Sequence, residues 1–161
     1  MAEIEFNTAH LSKEEKYQLL ISQCSALLDS KVDWVTNSAN FCAALKENFD
    51  WLWIGFYRKI SEDYLQLGPF QGPVACTFIQ KGKGVCGSVW QQEKALVVPD
   101  VEAFPGHIAC SSKSRSEIVL PVYKENQFWG VLDIDSTELD TFSDTDETNL
   151  SQLIKQFEAF L

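Results

Sequence analysis

Cys110 stands three residues after His107 and seven before Glu117, inside the stretch GHIACSSKSRSEIVLP that runs from Gly106 to Pro121. A thiol, an imidazole and a carboxyl thus share a short segment. Pro105-Gly106 marks a loop, and Glu117 opens the apolar run Ile118-Val119-Leu120, which reads as a strand. A thiol on a loop at the mouth of a sheet is accessible yet rigidly mounted, a setting suited to nucleophilic or redox chemistry. A free cysteine is equally at home as a small core residue, so Cys110 alone leaves both readings open.

Two strand-like segments carry further candidates. In Leu132-Asp133-Ile134-Asp135 the alternation puts both carboxyls on one face. Neighbouring carboxylates repel, so a cation, a metal or a shared proton must offset the repulsion, unless the strand ends in solvent that screens it. In Trp53-Ile54-Gly55-Phe56-Tyr57 the same period groups Trp53, Gly55 and Tyr57. A glycine between two aromatics leaves a notch, fit either for a small ligand or for core packing.

Of the five cysteines, Cys24 and Cys42 lie on the apolar stripes of expected helices and read as core. Cys76, Cys86 and Cys110 remain. Zinc ligands usually come as closely spaced pairs; no such spacing occurs, so no metal is expected, although these three and His107 could converge. A thiol–disulfide cycle requires only two cysteines that meet and a site that activates one of them. Lys81-Gly82-Lys83-Gly84 leads into a short helix through Val85 to Trp90, where free N–H groups can cradle an anion, but the spacing matches no nucleotide-binding loop.

The elements that position these residues follow from pattern. Ser12 to Glu15 forms a capping box for a helix running to about residue 30, with Tyr17, Leu20, Cys24, Leu27 and Leu28 on one face. Asp33 caps a second helix carrying Val35, Ala39, Cys42, Leu45 and Phe49. Residues 51–57 are apolar on both faces, as in a strand buried in mid-sheet. A hairpin leads to residues 64–67, ended by Gly68-Pro69, and residues 74–79 form the next strand. Leu96 to Val98 is a strand, Pro99-Asp100 starts the long loop, and residues 117–123 pair with 127–134 across Lys124-Glu125-Asn126. Ser143 caps a last helix with Leu150, Leu153, Ile154, Phe157 and Leu161 along one stripe. The expected class is α+β: one domain over 1–161, with N-terminal helices in 1–50, sheet and active-site loops in 51–136, and a C-terminal helix in 143–161. N- and C-terminal helices cover one face of a mostly antiparallel sheet.

A formal net charge of −10 repels phosphate backbones, and no basic stripe offsets it, so nucleic acid is an unexpected partner. No apolar run is long enough to cross a membrane, and the acidic start MAEIEFNTAHLSKEEK lacks the apolar region of a signal peptide. A cytoplasmic setting with reduced thiols is expected, and an odd cysteine count argues against a structural disulfide framework.

GPFQG at 68–72, AC at 75–76, GKGVCG at 82–87, VPDV at 98–101, PGHIAC at 105–110, SEIVLP at 116–121 and GVLDIDS at 130–136 together resemble the free methionine-(R)-sulfoxide reductases, stand-alone domains of the GAF fold. Trp53-Ile54-Gly55-Phe56-Tyr57 is similar to that family's Trp-x-Gly-Phe-Tyr strand. The resemblance implies that Cys110 attacks the sulfoxide and that Cys76 forms a disulfide with it. It makes Cys86 the third cysteine, able to offer a second route. Glu117, Asp133 and Asp135 become the acidic group around the sulfoxide, with Trp53, Tyr57 and Asp100 as substrate-binding companions. It implies no bound cofactor, thioredoxin with its NADPH-dependent reductase as the source of electrons, free methionine (R)-sulfoxide as substrate, a role in repairing oxidative damage, and a homodimer as an open option. Ser111 and Pro73 depart from the family's frequent aspartate and lysine. The rival expectation is a non-catalytic GAF module that senses a small ligand or a redox state; such a pocket has no need of the cysteine set.

Overall fold

The computed structural model describes Thr8, residues 10–108 and residues 110–161; the acidic start of the chain and Ala109 lie outside the described residues. Two helices come first, α1 (Lys13–Leu27) and α2 (Trp34–Asn48). Each begins where the sequence puts a cap: Ser12 and Glu15 form the reciprocal box, and Asp33 accepts from the Thr36 N–H at 3.0 Å. Strands β1 (Trp53–Lys59), β2 (Tyr64–Gln71) and β3 (Phe78–Gln80) follow, then α3 (Gly84–Gln92), β4 (Leu96–Val98), β5 (Ser116–Lys124), β6 (Gln127–Ser136) and α4 (Asp144–Phe157). All strand pairs are antiparallel, in the order β3-β2-β1-β6-β5-β4.

Alternation along the central strands divides the molecule into two layers. Ile54, Phe56, Ile118, Leu120, Leu132 and Ile134 face α1, α2 and α4, and pack with Phe41 and Phe157 in the larger core. Fully burying each such side chain contributes about 1.5–3 kcal/mol. The opposite face carries Trp53, Tyr57, Val119 and Val131, covered by Val85, Val89 and Trp90 of α3. Tyr17 of α1 donates to buried Asp146 of α4 at 2.7 Å, and Lys13 pairs with the same carboxylate at 2.6 Å, so the outer helices are clasped together.

Four expectations shift. α1 stops at Leu27, short of residue 30. α2 presents Ser38, Phe41, Cys42 and Leu45 to the sheet while Val35 is exposed; a polar serine inside the stripe disguised its phase. β2 continues through Gly68-Pro69 because these two oppose the lone Phe56 in a bulge, where the missing proline N–H costs no ladder bond. The segment 74–77 is not strand, so Cys76 sits in a loop ahead of the short β3.

Candidate active site

Sheet register builds the site. Trp53 of β1 lies opposite Asp135 of β6, which lies opposite Glu117 of β5, which lies opposite Val98 of β4. The next row on the same face is Gly55, Asp133 and Val119. Side chains directly opposite on one face stand about 4.5–5.5 Å apart at Cβ. Three carboxyls are thereby crowded under α3, and Asp133 and Glu117 are more than nine-tenths buried. Strand alternation made the Asp133–Asp135 pair visible; Glu117 joins them because β5 pairs with β6 in this register.

The cavity above this floor is about 40 Å³, lined by Trp53, Tyr57, Lys83, Cys86, Cys110 and Ser114 together with the three acids. Cys86 enters it from the first turn of α3. Cys110 arrives on the long loop and is bonded to Cys76, with 5.4 Å between their Cα atoms and 34 residues between them in sequence. Cys76 itself is not among the lining residues, so of the bonded pair it is Cys110 that faces the cavity. Cys24, Cys42 and Cys86 are free and buried; the first two are in the helical core, as their stripes suggested.

Trp53 and Tyr57 do more than wall the cavity. The Trp53 indole N–H donates to the Pro73 carbonyl at 3.1 Å, and the Tyr57 hydroxyl donates to the Cys76 carbonyl at 3.0 Å. The two aromatics therefore hold the loop that carries Cys76. The notch at Gly55 is filled from within: a Cβ there would meet the Trp53 ring and come within 2.5 Å of Phe70 Cβ. The glycine exists so that Trp53 can lie flat between Phe70 and Tyr57, with ring centroids 5.3 and 5.8 Å away.

Ser114, which nothing in the sequence singled out, is buried and its hydroxyl donates to Asp135. Asp100, expected beside the substrate, is not among the residues that line the cavity: its carboxylate accepts from the Glu102 N–H at 3.0 Å and caps the 3-10 turn Val101–Ala103. His107 reaches the cavity rim, where burial lowers its pKa and disfavours the imidazolium. At the two departures from the family pattern, Pro73 supplies the carbonyl that Trp53 holds, and Ser111 accepts from the Lys113 N–H at 3.2 Å.

Burial governs the electrostatics. It pushes Glu117 and Asp133 well above the ordinary carboxyl range, and the neighbouring acids add to the effect. Asp135 is raised to about 6 by burial, with the Ser114 hydroxyl pulling the other way. The shifts favour protonated carboxyls on Glu117 and Asp133, while Asp135 at about 6 is ionised near neutral pH. The Cys86 thiol is pushed well above its ordinary value by burial and then by the charges of Asp133 and Glu117. Such a site offers an acid proton, a negative charge and a redox-active sulfur in one enclosure.

A model of the GAF domain matches residues 24–161 of the chain. GAF domain-containing protein A of Dictyostelium discoideum is 57% identical over 144 residues, which cover 89% of this chain and 91% of that protein. The free methionine-R-sulfoxide reductase of Escherichia coli K12 is 44% identical over 152 residues, covering 94% and 92%. The crystal structure of the free methionine-R-sulfoxide reductase of Neisseria meningitidis with its substrate superposes with a TM-score of 0.92 at 44% identity, covering 99% of this chain and 95% of that one. With its fold, its cysteine pair and its acidic floor on these terms, the chain belongs to the GAF-domain free methionine-R-sulfoxide reductases, a family of oxidoreductases that act on sulfur.

Proposed function

We propose that this chain reduces free methionine (R)-sulfoxide to methionine, with Cys110 as the attacking sulfur and Cys76 as its resolving partner. The observation that carries the proposal is the Cys76–Cys110 disulfide set in the wall of a cavity floored by Glu117, Asp133 and Asp135. A sulfoxide oxygen leaves only when protonated, and a neutral carboxyl on Glu117 or Asp133 supplies that proton. Cys110 attacks the sulfur; the sulfoxide oxygen passes to Cys110 as sulfenic acid and methionine departs. The Cys76 thiol then displaces water from the sulfenic acid and closes the disulfide. An external dithiol, thioredoxin in our reading, takes up the disulfide by exchange and resets both thiols. Cys86 remains a neutral thiol through this cycle, since its burial beside the acids opposes the thiolate.

Substrate orientation follows from charge. Ionised Asp135 takes the ammonium, while Lys83 and the uncapped first turn of α3 take the carboxylate. Trp53 walls the methyl side, so a single sulfur epimer, the R form, presents to Cys110. A sulfoxide within a polypeptide lacks the ammonium and carries chain on both sides. Losing one charge-assisted hydrogen bond costs about 1.5–3 kcal/mol, at least about tenfold, before any steric exclusion. The test is NADPH consumption in a thioredoxin-coupled assay with the free R and S sulfoxides beside an N-acetylated, amide-capped R sulfoxide. Turnover confined to the free R epimer supports the proposal. Equal rates for the capped compound contradict the enclosed, charge-read pocket, and no turnover with any of the three contradicts the reaction.

A further inference from the structure

We propose that Cys86 Sγ and one carboxylate oxygen each from Glu117 and Asp133 form a binding site for a single divalent cation of borderline softness, zinc above all, at the floor of the cavity. These three ligand atoms lie within 4.8 Å of one another, and their residues are only 5%, 6% and 7% exposed. Tetrahedral zinc, at about 2.3 Å from sulfur and about 2.0–2.2 Å from oxygen, needs its ligands roughly 3.3–3.8 Å apart. Small side-chain rotations close the difference.

A separate observation points to a missing ligand. Asp133 Oδ1 is buried with no hydrogen-bond partner. No basic side chain pairs with the trio: the ion pairs among the described residues join Lys13 to Asp146, Lys59 to Glu62 and Lys155 to Glu158, and Lys83 lines the cavity without pairing. Size selects the occupant in the disulfide form. A space of about 40 Å³ admits an ion with a water or two. Ligand chemistry selects the ion: a thiolate disfavours magnesium and calcium, while two carboxylates beside it favour zinc over copper(I). The ligands come from α3, β5 and β6, which is why no close-spaced motif announces them. On binding, the protons of Cys86, Glu117 and Asp133 leave to solvent as the metal–sulfur and metal–oxygen bonds form, with no change of oxidation state. A fourth position remains for water, or for Cys110 once its disulfide is reduced. The ion and a sulfoxide substrate would compete for the same carboxylates, which makes the site a zinc-closed form of the protein.

The test uses the disulfide form and Cd²⁺ as a spectroscopic stand-in for zinc, and it reads metal rather than turnover, so its failure and that of the sulfoxide reading are separable. Wild type should gain an ultraviolet thiolate-to-cadmium band that saturates at one equivalent and is reversed by Zn²⁺. Cys86→Ser should lose the band, and Asp133→Asn, close in size and shape, should weaken binding by at least about tenfold. Absence of the band in wild type, an undiminished band in Cys86→Ser, or unchanged affinity in Asp133→Asn would each overturn the site. Should Cys86→Ser not fold, the wild-type titration and Asp133→Asn decide the matter together.

Discussion

Replacing Ser114 by alanine removes a hydroxyl that donates to Asp135 and leaves the rest of the acidic floor in place. A hydrogen bond to a charged group is worth about 1.5–3 kcal/mol, and one pKa unit corresponds to about 1.4 kcal/mol, so full loss raises Asp135 by roughly one to two units. Asp135 is only partly buried, and water replaces some of the lost donor, so about one unit is expected. Asp135 is ionised above its value of about 6, and in the proposed function the ionised form holds the substrate ammonium. In wild type kcat/KM should therefore fall as pH drops through about 6; in Ser114→Ala that limb should move to about 7. The assay is kcat/KM for the free R sulfoxide across this range, with the coupling enzymes in excess. Ser114→Thr, which restores a hydroxyl, should return the limb. An unmoved limb, or a loss uniform across pH, would refute the assignment of Asp135 as the charged partner.

Asp133→Asn should lower turnover yet raise stability near about pH 8. The folded pKa of Asp133 is raised, so its contribution to stability is lost as pH climbs past the unfolded value near about 4, by up to about 1.4 kcal/mol per unit. Thermal melts of the variant and wild type should coincide near about pH 4 and separate at alkaline pH; a less stable variant at about pH 8 contradicts this. Gly55→Ala should destabilise by about 1–3 kcal/mol, because its Cβ overlaps the Trp53 ring, and should loosen the Cys76 loop that Trp53 holds. A melting temperature within about a degree of wild type would show that the ring can move aside. The disulfide form should bind free methionine (R)-sulfoxide more weakly than the reduced form, since Cys110 lines the pocket and is held there by its bond to Cys76; equal affinities by calorimetry would contradict that constraint.

The strands were legible where their period was simple. The three helix caps Ser12, Asp33 and Ser143 followed from residue type, and the division of β1 and β6 into two faces and the pairing of β5 with β6 from alternation and turn residues. The turn expected over Lys124-Glu125-Asn126 tightens to two residues, Glu125 and Asn126, with positive φ at 51° and 62°, because Lys124 stays in β5. Pro69 misled because a bulge excuses a proline that a regular ladder would not. Of the site, the carboxylate pair on β6 was readable from spacing, whereas the Cys76–Cys110 pairing came through family resemblance alone. Ser114 carried no signal, because its meaning lies in the loop's return to the β6 edge, where Arg115 N–H bonds the Ser136 carbonyl at 2.8 Å. Asp100 sits inside a matched block, yet its carboxylate caps the Val101–Ala103 turn, a local role that the block match did not reveal.

The central claim is that one sulfur attacks and another resolves, and single-turnover chemistry tests it without any reductant. Fully reduced chain, mixed with free methionine (R)-sulfoxide, should release about one methionine per molecule and leave Cys76 joined to Cys110 on peptide mapping. Cys76→Ser should release about the same amount and stall with an oxidised Cys110, and Cys110→Ser should release none. Methionine released by Cys110→Ser, with the oxidation found on Cys86, would contradict the account and move the attack to the buried thiol.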